Sequence, residues 1–146
     1  MRGYFGIGIY HCKTSENIGT LWRAAYLYGA SYIFTIGKRF PKKASDTVNS
    51  RKQIPLFEYQ SYEDFYGNIP NSCQVVCIEQ SGTPLKRIVH PEQTVYLLGS
   101  EDQGLPSEIS KGKLCIEIET QKPYSMNVAM AGSIVMYDRF IKLSKT

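Results

Sequence analysis

Ser125-Met126-Asn127-Val128-Ala129, running on through Met130, Ala131 and Gly132 to Phe140, carries more architectural information than any other part of the chain. Ser125 and Asn127 offer a hydroxyl and an amide where a helix should begin. Unpaired backbone N–H groups and the positive end of the helix dipole collect there, which suits a polar or anionic ligand. Capping of a buried terminal helix by Ser125 is the plainer use of the same residues. Beyond this opening, Met130, Ile134, Tyr137 and Ile141 form one apolar stripe at helical spacing, and Val128, Ala131 and Val135 form another. A helix apolar on two sides and slimmed by Ala129, Ala131, Gly132 and Ser133 should pack against several neighbours.

Working outward, Tyr4 to Tyr10 is a Gly-interrupted, β-branched and aromatic run that suits a buried strand. Its Gly6-x-Gly8 is no dinucleotide fingerprint, because the third glycine and the strand-then-turn context are missing. Ser15 or Asn17 should cap a helix with Ile18, Leu21, Trp22 and Ala25 on its buried face, ended by Gly29. Further strands are expected over Tyr32 to Ile36, Ile54 to Tyr59 (an edge strand, given Pro55), Gln74 to Ile78, Thr94 to Leu98 and Leu114 to Ile118. Gln80-Ser81-Gly82-Thr83-Pro84 reads as the end of the fourth of these. Short helices fit Tyr62 to Tyr66 and the turn opened by Pro106. Alternating strands and helices give an α/β fold, a mostly parallel sheet with helices on both faces. Ligands of such sheets lie beyond the carboxyl ends of the strands.

With 146 residues, 42% hydrophobic and 21% charged, the chain reads as a single globular domain spanning 1–146. No apolar run approaches the roughly 20 residues of a membrane span, and Met1-Arg2-Gly3-Tyr4 does not open a signal peptide, so a cytoplasmic protein is expected. Cys12, Cys73, Cys77 and Cys115 contain no CxxC pair and only His11 and His90 could join them, so no metal site is expected. The formal charge of +4 is mild, but Lys38, Arg39, Lys42, Lys43, Arg51 and Lys52 crowd into one loop region and are candidates for RNA phosphate contacts. A solvated basic loop is the alternative for these six.

Three loops at the expected carboxyl edge hold polar residues: Asn17, Gly19 and Arg23; Gly99, Ser100, Glu101, Gly104 and Leu105; and Ser125, Met126 and Asn127. Together they resemble the SPOUT superfamily, in its SpoU/TrmH group of RNA ribose 2′-O-methyltransferases. N-x-G-x-x-x-R-A-x-x-x-x-G stands as Asn17, Gly19, Arg23, Ala24 and Gly29. G-x-E-x-x-G-L stands as Gly99, Glu101, Gly104 and Leu105. S-[L/M]-N-V-x-x-A stands as Ser125, Met126, Asn127, Val128 and Ala131. The resemblance implies a C-terminal deep trefoil knot, a homodimer pairing first and last helices, and S-adenosylmethionine as methyl donor. By position, Ile78, Leu98, Gly99, Ser100, Glu101, Gly104, Ile116, Ile118, Ser125 and Met126 would line the donor pocket. Arg23, Asn17, Glu101, Ser125 and Asn127 would form the catalytic set. Arg23 would either pass the ribose 2′-hydroxyl proton to an RNA phosphate or only orient phosphate and hydroxyl, since arginine stays protonated.

As a minimal member without an appended RNA-binding domain, the chain is expected to act on tRNA ribose, with rRNA as the other substrate. A non-catalytic RNA-binding module of the same fold is the competing reading, motivated by the basic loop and the polar link 119–124.

Overall fold

Glycine thins the first strand so that aromatic rings can lie across it. In β1 (Tyr4–Tyr10), Phe5, Ile7 and Ile9 point to one face, while Gly6 and Gly8 leave the other face bare. The rings of Tyr32 and Phe34 occupy that bare face, and a Cβ on Gly8 would lie 2.5 Å from the Phe34 ring. The glycine pair is therefore a packing device.

The computed structural model describes residues 3–41, 54–123 and 125–144. In chain order they form β1, α1 (Ser15–Leu27), β2 (Tyr32–Ile36), β3 (Leu56–Tyr59), α2 (Tyr62–Tyr66), β4 (Gln74–Pro84), a 3-10 turn (Leu85–Arg87), β5 (Gln93–Gly99), α3 (Ser107–Ser110), β6 (Leu114–Glu117) and α4 (Val128–Leu143). The strands make one six-stranded sheet in the order β3-β2-β1-β5-β4-β6, and every neighbouring pair is parallel. Among the described residues no helix is long and apolar enough to cross a membrane.

Two cores follow from the strand alternation. On one face α1 and α4 cover Phe5, Ile7, Ile9, Ile33, Tyr96 and Leu98, with Leu21, Trp22, Val128, Val135 and Met136 supplied by the helices. On the other, Phe65 of α2 and Ile109 of α3 cover Phe34, Ile36, Val75, Val95 and Leu97. Val128, Ala131 and Val135 of α4 are buried as expected, but the Met130, Tyr137 and Ile141 stripe stays at least 42% exposed. The last helix thus has one packed side within this chain, not several. Gly132 lets it approach closely: a Cβ there would come within 2.6 Å of Leu21 Cδ1.

Three local expectations are corrected. The cap of α4 is Asn127, whose Oδ1 accepts from Met130 N at 3.0 Å; Ser125 lies too far upstream. The cap of α1 is Thr14, without a side-chain bond, because Asn17 spends its amide on tertiary partners. And β4 does not end at Ile78: after a register shift it pairs with β6 again at Thr83 and Pro84. The shift lets 79–82 arch off the sheet, with Gly82 pressed against the Cys115 backbone.

Candidate active site

Beyond the carboxyl ends of β4, β5 and β6 lies a cavity of about 690 Å³, within the usual range for small-molecule sites. Ile78, Leu98, Ile118 and Met126 supply apolar wall, and backbone from 99–104 supplies the floor. That loop folds tightly: Gly104 N donates to Ser100 O at 2.9 Å, and Gln103 N to Ser100 Oγ at 3.2 Å. Gly104 has φ +66, and a Cβ on Gly99 would lie 2.7 Å from both Gly104 Cα and Leu105 N. Glycine is required at both places, at one for its left-handed backbone and at the other for close approach.

The cavity is acidic. Glu79, Glu101, Asp102 and Glu117 border it, and among its described lining residues there is no lysine, arginine or histidine. One carboxylate oxygen of Glu79 and one of Glu101 are buried without a hydrogen-bond partner among the described residues. Burial pushes the Glu79 carboxyl up from its ordinary range, opposed by a hydrogen bond from the Leu105 backbone. Asp102 differs, because hydrogen bonds from Arg39 hold its carboxyl down at about 2. Desolvated carboxylates without cations to neutralise them favour a ligand that brings positive charge and hydrogen-bond donors, and oppose a phosphate.

Three distant segments are joined at the edge of this cavity by one chain of amides. Asn127, at the head of α4, donates from Nδ2 to Asn17 Oδ1 at 3.0 Å. The Asn17 amide donates in turn to Glu101 Oε2. The same Asn127 side chain caps α4, so the start of that helix, the first turn of α1 and the cavity carboxylate are mutually fixed. Ser125 Oγ accepts from Gln80 Nε2 at 2.8 Å, tying the approach to α4 to the arch of β4.

Of the residues assigned to a donor pocket, Ile78, Leu98, Gly99, Ser100, Glu101, Gly104, Ile118, Ser125 and Met126 border the cavity. Ile116 does not. It is fully buried in the α1/α4-side core, paired across the sheet with Ile78 and Thr83. Strand alternation sends Ile116 inward and leaves Glu117 to reach the cavity. Asn17 and Asn127 act from behind Glu101. Arg23 stands exposed on α1, outside the cavity wall, with no hydrogen bond or ion pair among the described residues. Of the basic candidates, Lys38 is paired with Glu58 at 3.0 Å and Arg39 with Asp102 at 2.6 Å. Lys42, Lys43, Arg51 and Lys52 lie outside the described residues. Among the described residues no cluster of histidine, cysteine or acid could hold a metal ion.

Sequence reasoning missed Glu79, Gln80, Ser81, Asp102, Glu117 and Thr120 in the wall. Glu79 and Glu117 could have been found from the carboxyl-edge rule, being the first polar residues past apolar strand cores.

The family model of the SpoU rRNA methylase family matches residues 5–137. Among solved structures, a protein studied for the 2-OH methylation of C/U34 on tRNA superposes with a TM-score of 0.88 at 21% identity, covering 97% of each chain. AdoMet-bound rRNA methyltransferase from Sinorhizobium meliloti gives 0.81 at 24% identity, covering 98% of this chain and 58% of that one. The A. aeolicus TrmH/SpoU tRNA modifying enzyme gives 0.80 at 19% identity, over 96% and 75%. No curated protein sequence matches the chain.

Proposed function

Since the chain belongs to the SpoU rRNA methylase family, an RNA 2′-O-methyltransferase using S-adenosylmethionine, we propose that it modifies tRNA ribose in the cytoplasm, as a homodimer, through the cavity at the carboxyl ends of β4, β5 and β6. The observation that carries this reading is the amide chain from Asn127 through Asn17 to Glu101 at the edge of an acid-lined hollow.

The residues present fit the donor. S-adenosylmethionine carries positive charge on its sulfonium and ammonium groups, and the hollow offers the two partnerless carboxylate oxygens of Glu79 and Glu101. Ile78, Leu98, Ile118 and Met126 would enclose its adenosine part, with the 99–104 backbone supplying donors and acceptors. When bound, the donor supplies an activated methyl group for attack by a ribose 2′-hydroxyl. The protein then has to align that hydroxyl and manage one proton.

Glu101, fixed by Asn17 and Asn127, keeps its carboxylate in one orientation at the cavity. Ser125, held by Gln80, stands at the mouth, where incoming RNA would meet it. A guanidinium is a poor general base and a good fork donor, so Arg23 serves best by orienting a phosphate and the hydroxyl. Its position outside the wall fits a site completed by a second copy. The exposed apolar residues of α1 and α4 (Tyr26, Leu27, Met130, Tyr137, Phe140 and Ile141) supply a surface for that copy. The trefoil knot belongs to the same proposal: the chain leaves edge strand β6 and returns to α4, packed on α1 and β5, a return across the sheet that supports the knot without itself tracing the threading.

The test is transfer of labelled methyl from S-adenosylmethionine to tRNA and to rRNA, beside the same RNA carrying a 2′-deoxy sugar at the target. Methylation of tRNA that requires the 2′-hydroxyl is expected. Equal activity on the deoxy substrate, or activity on rRNA alone, overturns the assignment. Arg23→Ala should abolish turnover and leave donor binding intact, and an active variant removes Arg23 from its role.

A further inference from the structure

One side chain ties together three loops at the rim of the cavity. Arg39 follows β2 at the start of the basic stretch. Its backbone N–H donates to Cys12 O at 2.8 Å and its Nε to His11 O at 2.9 Å. Its two terminal nitrogens reach the two carboxylate oxygens of Asp102 at 2.6 and 3.2 Å. Asp102 borders the cavity and directly follows Glu101. All three guanidinium nitrogens are thus committed, to the loop after β1 on one side and the loop after β5 on the other.

The receiving end is built for this. His11 has φ +55, which among described residues no other non-glycine shares. Residues held in that region are over-determined by their surroundings. Here the His11 N–H donates to Ile36 O at 2.7 Å and the imidazole stacks on Tyr10 at 3.9 Å between centroids. Gly37 makes room for it, since a Cβ there would come within 2.8 Å of the ring. The left-handed turn presents the His11 carbonyl to Arg39.

We propose that Arg39 is a positioning residue for the methyl-donor pocket, clasping Asp102 so that loop 99–104 and its Glu101 keep their place, and is not an RNA phosphate contact. This rests on the donor reading given above. The fork of two parallel N–H···O bonds supplies direction as well as energy. Both side chains are about a third exposed (31% and 39%), so screening keeps the effect modest. Because Arg39 holds the Asp102 carboxyl down at about 2, mild acid leaves the clasp closed.

The experiment is calorimetric titration of S-adenosylmethionine into the full chain without RNA, for wild type, Arg39→Ala, Arg39→Lys, Asp102→Asn and the double variant Arg39→Ala/Asp102→Asn. Each of Arg39→Ala and Asp102→Asn should weaken donor binding about three- to tenfold, and the double variant no further than either alone. Arg39→Lys should recover part of the loss, because an ammonium cannot serve the fork and the His11 carbonyl at once. In turnover, the donor KM should rise with the RNA KM unchanged. Unchanged donor affinity in Arg39→Ala, with weaker RNA binding and a flatter salt dependence, makes Arg39 a phosphate contact and overturns the clasp. If Arg39→Ala does not fold, Asp102→Asn decides alone, and wild-type donor affinity there refutes the proposal. A wild type that binds no donor removes the donor reading and the clasp together; a binding wild type with unchanged variants removes only the clasp.

Discussion

Asn127 performs two separable tasks, and substitution can take them apart. Its Oδ1 caps α4 through Met130 N, and its Nδ2 holds Asn17, both at 3.0 Å. Asn127→Ala removes both. A lost cap costs about 1 kcal/mol, and a lost neutral hydrogen bond about 1 kcal/mol more. For 146 residues, an unfolding entropy of about 2.1 cal/mol/K per residue comes to about 300 cal/mol/K in total. A loss of about 2 kcal/mol then lowers Tm by about 6 °C. Asn127→Ser keeps a capping hydroxyl but cannot span to Asn17, so it should lose only about half of that. Its activity should still fall about tenfold, because Glu101 is then steadied by an Asn17 that nothing steadies in turn; tenfold in rate is about 1.4 kcal/mol. Thermal unfolding at matched protein concentration and methyl incorporation into RNA measure the two effects. An Asn127→Ala variant melting with wild type, or an Asn127→Ser variant turning over with wild type, refutes the double role.

Gly99→Ala drives a Cβ into the Gly104 and Leu105 backbone, which cannot yield as a flexible side chain would. The loop must open, so donor affinity should drop at least about tenfold alongside roughly 1–3 kcal/mol of stability; calorimetry showing wild-type affinity contradicts this. His90, between Tyr96 OH at 2.6 Å and Asp138 at 2.7 Å, has a lowered pKa, chiefly because burial disfavours the imidazolium, while Asp138 pulls the other way and Lys142 and Arg139 lower it further. The unfolded chain therefore takes up the proton first, and the stability contributed by neutral His90 is full above about pH 6.5 and lost as pH falls through the lower folded pKa. Tm measured from pH 8 to pH 5 should decline in that lower window; the same titration on His90→Gln, less stable overall, should lack that step, and an identical decline in both variants refutes the assignment.

Strand positions were legible because one face of each strand had to be apolar. Tyr4–Tyr10, Tyr32–Ile36 and Gln93–Gly99 lie within a residue of where β-branched and aromatic alternation puts them. The parallel order followed from intervening helices, and the site from the rule that ligands sit at carboxyl edges. What local pattern could not settle was which of two suitable residues a distant neighbour would claim. Ser15 and Asn17 both satisfy capping rules, yet Asn17 is withdrawn from that task by Glu101, 84 residues away, and by Asn127, 110 residues away. Arg39 reads as one cation among six, and only the arrival of Asp102 from 63 residues on gives it a partner. Gln80-Ser81-Gly82-Thr83-Pro84 has the composition of a turn and does arch away, but pairing with β6 recovers the strand afterwards.

The buried stripe of α4 shows how the same helix serves opposite ends of the sheet. Val128 and Ala131 border the cavity, Val135 fills the core, and the next position on that face is Arg139, fully buried. A charge there breaks the apolar period, and the period alone gives no reason for it. The reason lies at the amino ends of the strands, where Arg139 donates to Pro91 O and Glu92 O, both at 2.8 Å, and to Tyr96 OH at 3.1 Å, with its guanidinium 4.9 Å from the Phe5 ring centroid. Pro91 O also accepts from Thr94 Oγ1 at 2.6 Å and Glu92 O from Tyr4 N at 2.9 Å, so the guanidinium adds a second donor to each carbonyl. At about 1.5 Å per residue the 16 residues of α4 span about 24 Å. One rigid element thus pins the cavity at its Asn127 end and satisfies the strand starts at its Arg139 end. Stability and site geometry are coupled through its length, which is why loosening either end should register at the other.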